Sequence, residues 1–326
     1  MARTLGLLVG PLVIEDSKEG TASAPPTVVA HPRRRDVFAP KPERSVVAIP
    51  PPGDGPGYWA GAPSAVSRDG WIYLAYRLRR PIGSGRGYAV EIARSADGER
   101  FERILTITKD EMKTESLERP TLVVTPDGSW RLYLSCATYG TKHWRVEMIE
   151  AADPAEFDPA DARVVLPGDL KTGVKDPVIL HHGGVWHLWA SCHPLEDPDE
   201  ADQMVTDYAT SADGIAWTWQ GTALDRRPGH WDSRGVRVSA VTFSGETVIA
   251  YYDGRASAEE NYEERTGVAI GPDPSTLTAT GTAPVAQAEH GAGLRYLSVV
   301  PVAGGHRLYY ELTRPDGGHE LRTELR

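Results

Sequence analysis

Residues 174–180 read V-K-D-P-V-I-L, an apolar run entered through a lysine, an aspartate and a proline. A carboxylate at the mouth of a buried strand costs free energy unless something there uses it. The plain alternatives are that Asp176 caps a turn or that Pro177 guards a strand edge. Other charged residues open or close apolar runs in a similar way. They are Glu118 and Arg119 in L-E-R-P-T-L-V-V, Arg237 in G-V-R-V-S-A-V, Arg295 and Tyr296 in L-R-Y-L-S-V-V, and Asp253 and Arg255 in Y-Y-D-G-R. Paired carboxyl groups can serve as general acid and base, or activate water. Guanidinium forks that converge on one place suit a carboxylate or a phosphate.

The elements that would bring these residues together repeat along the chain. Five segments share one pattern: an apolar run, a tight turn containing Gly, and a second apolar run. They start near 62, 119, 176, 237 and 296, and Pro63, Pro120 and Pro177 are 57 residues apart each time. Runs joined by D-G, G-G or S-G read as β-hairpins. Two units continue to the echoed turns S-A-D-G-E-R-F (95–101) and S-A-D-G-I-A-W (211–217), between a third and a fourth strand. Four short antiparallel strands per unit, five times over, predict an all-β chain folded as a five-bladed β-propeller. A two-sheet sandwich would not predict so regular a spacing. The expected organisation is one domain over 1–326, with blades starting near 58, 115, 174, 234 and 294. The fifth unit has only three strands, so the apolar run 4–14 is expected to supply its outer strand, with 24–56 as a surface connection.

In such a ring the start of each first strand and the end of each second strand face one mouth of the channel. That rim is expected to collect Asp176, Glu118 and Asp253 as catalytic candidates. Tyr58, Trp59, Arg119, Lys175, His193, Arg237, Arg255, Arg295 and Tyr296 are the expected substrate contacts, with Tyr58 and Trp59 as a stacking wall for a sugar ring. Ion pairing across the channel is the alternative for each charge; as a group they point to a polar ligand pocket. His181 and His182 precede a G-G turn and are not read as metal ligands. Cys136 and Cys192 take equivalent places and read as small buried residues.

These strand starts, with G-x-Y/W-x-L-Y/W runs and S-x-D-G-x-x-W turns, resemble the five-bladed glycosidases of the arabinanase and β-xylosidase type, glycoside hydrolase family 43, and neighbouring propeller families. The resemblance covers about 58–312. It implies a base Asp before the proline of blade one, an orienting Asp before that of blade three, and an acid Glu opening blade four. Asp176 matches the second; Ala62 and Arg237 stand at the other two. Neither Ala nor Arg can act as acid or base here, since Arg stays protonated and only donates. Replacement carboxylates would come from Glu118, Asp253 or Glu311. The resemblance therefore implies a glycoside hydrolase-like enzyme acting on a sugar or sugar-like small molecule in the channel, and the converging Arg119, Arg237 and Arg295 point to an anionic group on it. A non-hydrolytic propeller, either an anion-binding protein or an enzyme of another reaction, stays open beside it.

Composition narrows the partners. The net charge of −10 argues against a nucleic-acid binder. No stretch of about 20 apolar residues offers a membrane span. The expected partner is a small molecule, with no cofactor and no metal. The N-terminal M-A-R-T-L-G-L-L-V-G-P-L-V-I-E-D fits a signal peptide poorly because of Pro11, Glu15 and Asp16, so a cytoplasmic location is expected.

Overall fold

The structure, a computed structural model, describes residues 37–326. Three of its sheets are four-stranded antiparallel meanders. They are β6 (Leu117–Val124), β7 (Trp130–Ala137), β8 (Trp144–Ala151) and β9 (Arg163–Leu166); β10 (Thr172–His182), β11 (Val185–Pro194), β12 (Val205–Ser211) and β13 (Thr218–Leu224); and β14 (Gly235–Ser244), β15 (Thr247–Arg255), β16 (Arg265–Asp273) and β17 (Thr276–Ala279). A fourth, eight-stranded sheet divides in two at a single parallel pair, Trp59 with His319. One half is β2 (Trp59–Arg68), β3 (Trp71–Arg79), β4 (Gly87–Ser95) and β5 (Glu102–Thr108). The other is β18 (Leu294–Val302), β19 (Gly305–Thr313) and β20 (His319–Leu325), with β1 (Val46–Ile49) antiparallel along β20. No helix among the described residues is long and apolar enough to cross a membrane.

The hairpin signals fold as the sequence predicts. Asp69 and Gly70 both take positive φ, 52° and 81°, the requirement of a type I′ turn whose twist matches its strands. The two S-A-D-G echoes are the same turn built twice. Asp97 Oδ1 accepts from the amides of Glu99 and Arg100, and Asp213 Oδ1 from those of Ile215 and Ala216. Ser95 and Ser211 accept from the amides of Gly98 and Gly214. Each turn then receives a tyrosine hydroxyl from the neighbouring meander: Tyr309 donates to Gly98 O at 2.9 Å, and Tyr133 to Gly214 O at 2.8 Å.

Apolar cores form between consecutive meanders rather than within them. Ile92 and Leu74 illustrate the rule, since they lie in neighbouring strands and feed different cores. Ile92 packs with Leu117 and Leu132, whereas Leu74 packs with Val300 and Tyr309. Further cores join Met148 to Leu188, Trp189 to Val236, and Ile249 to Leu308. The first strands touch in a closed cycle, β2 to β6 to β10 to β14 to β18 and back to β2.

The edge of β20 is covered by Val46–Ile49, a segment that the sequence reading left inside a surface connection. The expected strand at 4–14 lies outside the described residues. Val46–Ile49 alternates little and is short, so its signal is weak; what holds it is pairing along β20 together with contacts on either side. Lys41 N–H donates to Glu324 Oε1 at 2.6 Å, Arg322 donates to Ser45 O at 2.8 Å, and Phe38 stacks on His306. Removing 37–49 in addition to 1–36 should expose the β20 edge. Relative to a truncation that starts at residue 37, Tm should fall by roughly 5–10 °C in a scanning thermal melt, on the order of 2–3 kcal/mol. An unchanged Tm would show that β1 contributes no stability.

Candidate active site

All five first strands are broken at the same place by a β-bulge, where two residues face one on the second strand. The bulged pairs are Ala62-Pro63, Glu118-Arg119, Asp176-Pro177, Val238-Ser239 and Tyr296-Leu297. Alignment on the prolines therefore matches the first and third units but is one residue out in the second, where Glu118 rather than Arg119 shares the place of Asp176. The residue just before the bulge is Lys175, Arg237 or Arg295 in three of the strands, which puts three cations in equivalent positions.

Ala62, Asp176 and Tyr296 take φ of 51°, 52° and 56°, a left-handed conformation that is rare for residues with a Cβ. This backbone is held by its amide partners. The N–H groups of these residues donate to Glu311 Oε2 (3.0 Å), Ser135 Oγ (2.9 Å) and Asp253 Oδ1 (3.0 Å), each on the preceding meander.

The bulges open onto a cavity of about 330 Å³. Among the described residues it is lined by eight Arg or Lys side chains and four Asp or Glu, in a chain whose net charge is −10. Of the predicted residues, Glu118, Lys175, His193, Arg237, Arg255, Arg295 and Tyr296 line it together. Asp176 and Asp253 lie just behind the lining, fully buried. Arg119 turns away from the cavity and reaches across the ring to the carbonyls of Ser239 (2.5 Å) and Pro63 (3.5 Å); its Nε and Nη1 meet no acceptor among the described residues. Tyr58 and Trp59 lie outside the lining. Trp59 is covered by stacked His319, by Arg79 at 4.1 Å from its ring centroid and by Tyr262 at 5.0 Å. It backs the wall rather than forming it.

Of the four carboxylates in the lining, Glu118, Glu264 and Asp202 are held by guanidinium groups, and Asp199 meets none among the described residues. Glu118 pairs with Arg77 and, at 3.4 Å, with Arg79. Glu264 accepts from Arg295 at 2.7 Å and from Arg255 at 2.8 Å. Behind the lining, Glu311 accepts from Arg295 (2.6 Å), Arg77 (2.8 Å) and His319 (2.6 Å). Asp253 accepts from Arg237 at 2.9 Å. Asp176 takes Arg237 at 3.3 Å, the Tyr296 hydroxyl at 3.2 Å and the Arg119 amide at 3.3 Å.

Protonation follows from these contacts. Burial alone would push the Glu118 carboxyl up, but Arg77, Lys175 and Arg79 outweigh it and bring it down from 4.5 to about 2. Burial is likewise outweighed by Arg295, Arg237 and Arg255 at Glu264, by Arg295 and Arg77 at Glu311, and by Lys175 and Arg237 at Asp176; all three stay ionised well into acid. Asp253 is the exception, raised because burial outweighs Arg237. His193 is pushed down to about 3 by burial and the Lys175 charge, so it is a neutral imidazole. It donates through Nδ1 to Ala201 O at 2.8 Å, which leaves Nε2 to accept from Ser191 at 3.1 Å. Both ring nitrogens are thus occupied, and His193 positions the 198–204 segment. Cys136 and Cys192 are buried free thiols, raised by burial. No cluster of three or more His, Cys, Asp or Glu able to hold a metal ion occurs among the described residues.

Many lining residues were not among those the sequence reading predicted, including Arg79, Arg86, Lys142, Asp199 and Asp202, and, in the connection between β15 and β16, Tyr262 and Glu264. That reading took the rim from first-strand starts and second-strand ends. The connection leaving this second strand also lies at that rim. Its charge-dense run 251–267 reads in the sequence either as a solvated loop or as a segment where Asp253 and Arg255 close over a ligand, and neither reading singles out Tyr262 or Glu264.

No protein-family model matches the chain, and no curated protein matches it in sequence. Solved structures do share its fold. A thermostable family-43 glycoside hydrolase superposes with a TM-score of 0.66 at 11% identity, over 82% of this chain and 89% of that one. The α-L-arabinofuranosidase of Lactobacillus brevis gives 0.60 at 18% identity, over 81% and 90%. A β-1,2-mannobiose phosphorylase from Listeria innocua, in complex with β-1,2-mannobiose, gives 0.60 at 14% identity, over 86% and 96%. The all-β fold is thus the propeller type of these glycosidase-like enzymes.

The carboxylate–guanidinium contacts set an acid limit. A depressed folded pKa contributes stability above the unfolded value that is lost as pH falls toward the folded one. For Glu118, and in the same direction for Glu264, Glu311 and Asp176, the loss begins near pH 4.5 and continues toward about 2; Asp253 opposes it. Urea unfolding should show stability level from pH 7 to about 5 and falling steeply below 4.5. Glu311→Gln leaves Arg77 and Arg295 short of a buried counter-charge and should lose about 3–5 kcal/mol at pH 7. A loss below about 1 kcal/mol would mean the lattice carries little of the fold.

Proposed function

We propose that this chain is a single-domain, five-bladed β-propeller whose central cavity takes a sugar-like anionic small molecule, and that it acts on that molecule without the paired-carboxylate hydrolysis of ordinary glycosidases. The reading rests chiefly on one observation: cations outnumber carboxylates by eight to four in the cavity lining, and its two glutamates are already engaged by arginines. A ligand carboxylate or phosphate would meet Lys142, which pairs with no carboxylate among the described residues, and Arg86 and Lys175, whose pairs with Glu115 and Asp176 are each 3.6 Å long. Lys175 is poised there by the Trp144 ring, 4.8 Å from its ammonium. Asp199, whose carboxylate meets no guanidinium among the described residues, offers acceptors for sugar hydroxyls, whereas the oxygens of Glu264 and Asn261 already accept from arginines. A volume of about 330 Å³ suits a ligand of one or two sugar rings.

Hydrolysis would need one carboxyl protonated and another free to activate water. Glu118 and Glu264 are both held ionised, and Asp176 and Asp253 lie behind the lining. Glu118 is the carboxylate that favours a second, hydrolytic reading, because it shares the bulge position of Asp176 and faces the cavity. Release of aryl aglycone from a glycoside panel, abolished by Glu118→Gln, would support that reading.

Titration calorimetry separates charge recognition from general sugar binding. Galacturonate, glucuronate and hexose 6-phosphates should bind at least about tenfold more tightly than galactose or glucose, a difference of about 1.4 kcal/mol. The preference should shrink as salt is raised and in Lys175→Met. Equal affinity for the neutral sugars would overturn the anionic reading.

A further inference from the structure

The cavity holds a phenol that bonds to no carboxylate among the described residues and lies instead against the Arg79 guanidinium: that of Tyr262. Its backbone is left-handed, φ 79°, a conformation that bulky residues adopt only when their surroundings impose it. Those surroundings are anchored on both sides. Asn261 Oδ1 accepts from Arg255 at 2.8 Å. Glu263 accepts from the Gly293 amide (2.5 Å) and Thr313 (2.7 Å), and Glu264 from Arg255 and Arg295. The ring is packed on Trp59, with the Arg79 guanidinium 4.8 Å and that of Arg295 5.7 Å from its centroid. The other phenol of the lining, Tyr296, already donates its hydroxyl to Asp176.

We propose that Tyr262 is the proton-transfer residue of a β-elimination that cleaves uronate glycosides joined through O4. This rests on the reading that the cavity binds an anionic sugar, and names the substrate and the reaction. A base set among cations is matched to a C–H bond next to an anion, which in a sugar is C5 of a uronate. Phosphate esters and neutral sugars offer no comparably acidic C–H. The surrounding cations would hold the C5 carboxylate and stabilise the charge that develops on it as the proton leaves.

The step balances without a co-reactant. The Tyr262 phenolate takes the proton from C5, and the C–H electron pair becomes the C4=C5 double bond. The C4–O4 bond breaks with its electrons on O4, and the Tyr262 phenol returns the proton to O4. Nothing is oxidised or reduced, and no protonated carboxylic acid is required. The groups facing the phenol are Arg79 from β3, Glu118 from β6, Lys175 from β10 and Arg295 from β18. Despite burial, Arg79 and Lys175 bring the phenol below its ordinary value of 10, with Glu118 opposing them. Because the deprotonated form is active, the rate should rise with pH and level off below the range of a free tyrosine.

The test is ultraviolet absorbance of the unsaturated uronate product, using 4-linked di- and trisaccharides of galacturonate, glucuronate and mannuronate. The full chain should generate it from at least one of them. Tyr262→Phe should lower the rate by about 100-fold or more, with uronate affinity by calorimetry changed less than about threefold. Arg79→Lys should move the rise of the pH profile to higher pH. Uronate binding with no unsaturated product from the panel would overturn the elimination and leave the anionic-sugar reading standing. Absence of both uronate and sugar-phosphate binding would overturn both. Persistence of the absorbance change in a folded Tyr262→Phe protein would overturn the role given to Tyr262.

Discussion

Buried arginines are costly unless buried carboxylates match them, and around this ring most are matched in a closed circuit, Arg119 with its carbonyl partners being the exception. Arg77 of β3 joins Glu118 of β6, and the Arg119 amide of β6 joins Asp176 of β10. Asp176 joins Arg237 of β14; Asp253 and Glu264, at the two ends of the β15–β16 connection, join the Tyr296 amide and Arg295 of β18; and Glu311 of β19 returns to Arg77. The apolar cores hold neighbouring meanders together along their faces, where burial supplies most of the stabilisation. Around the cavity mouth the ring is held by charge. Taking so many ions out of water is costly, and replacing a buried pair by apolar groups is often neutral or stabilising. What charge adds here is geometry: each carboxylate fixes the direction of at least two donors, and the left-handed turns at Ala62 and Tyr296 aim backbone amides at two of the same acceptors, Glu311 and Asp253.

That use of the carboxylates has a chemical consequence. A glutamate clamped by two guanidinium groups is ionised and has its lone pairs occupied, so it makes a poor acid and a hindered base. The arginines are thereby pinned in place, and Lys142, with the loosely paired Arg86 and Lys175, is available to a ligand. A pocket of this kind recognises an anion through fixed donors and does its chemistry with whatever uncommitted groups remain.

Much of this was legible in the chain because it depends on local chemistry. The D-G turn at 69–70 and the twin S-A-D-G turns demand their conformations from a few adjacent residues. Their spacing exposed the repeat, and the repeat placed Glu118, Lys175, Arg237, Arg255, Arg295 and Tyr296 at one rim. The bulge register was not legible. A bulge inserts one residue without a compositional mark, and the prolines that suggested a common register sit inside it in two units and just after it in the third. Nor could the sequence show which carboxylates are spent, since that depends on arginines arriving from other meanders. Val46–Ile49 was missed because a four-residue edge strand in a Pro-rich stretch draws its stability from β20 and hardly at all from its own sequence. Tyr262 and Glu264 were missed because a charge-dense connection such as 251–267 looks the same in sequence whether it is solvated or folded into the rim.

The account stands on the carboxylates at the cavity being counter-ions rather than acids, and Glu118 is the one to ask. Carbon NMR of the protein labelled at the glutamate carboxyl, with the signal assigned through Glu118→Gln, reports its titration directly. The lattice predicts that Glu118 stays ionised at every pH at which the fold persists, titrating near 2 if it can be followed so far. A folded-state titration at or above the ordinary value of 4.5 would mean that this carboxyl is free to carry a proton, and would contradict the account.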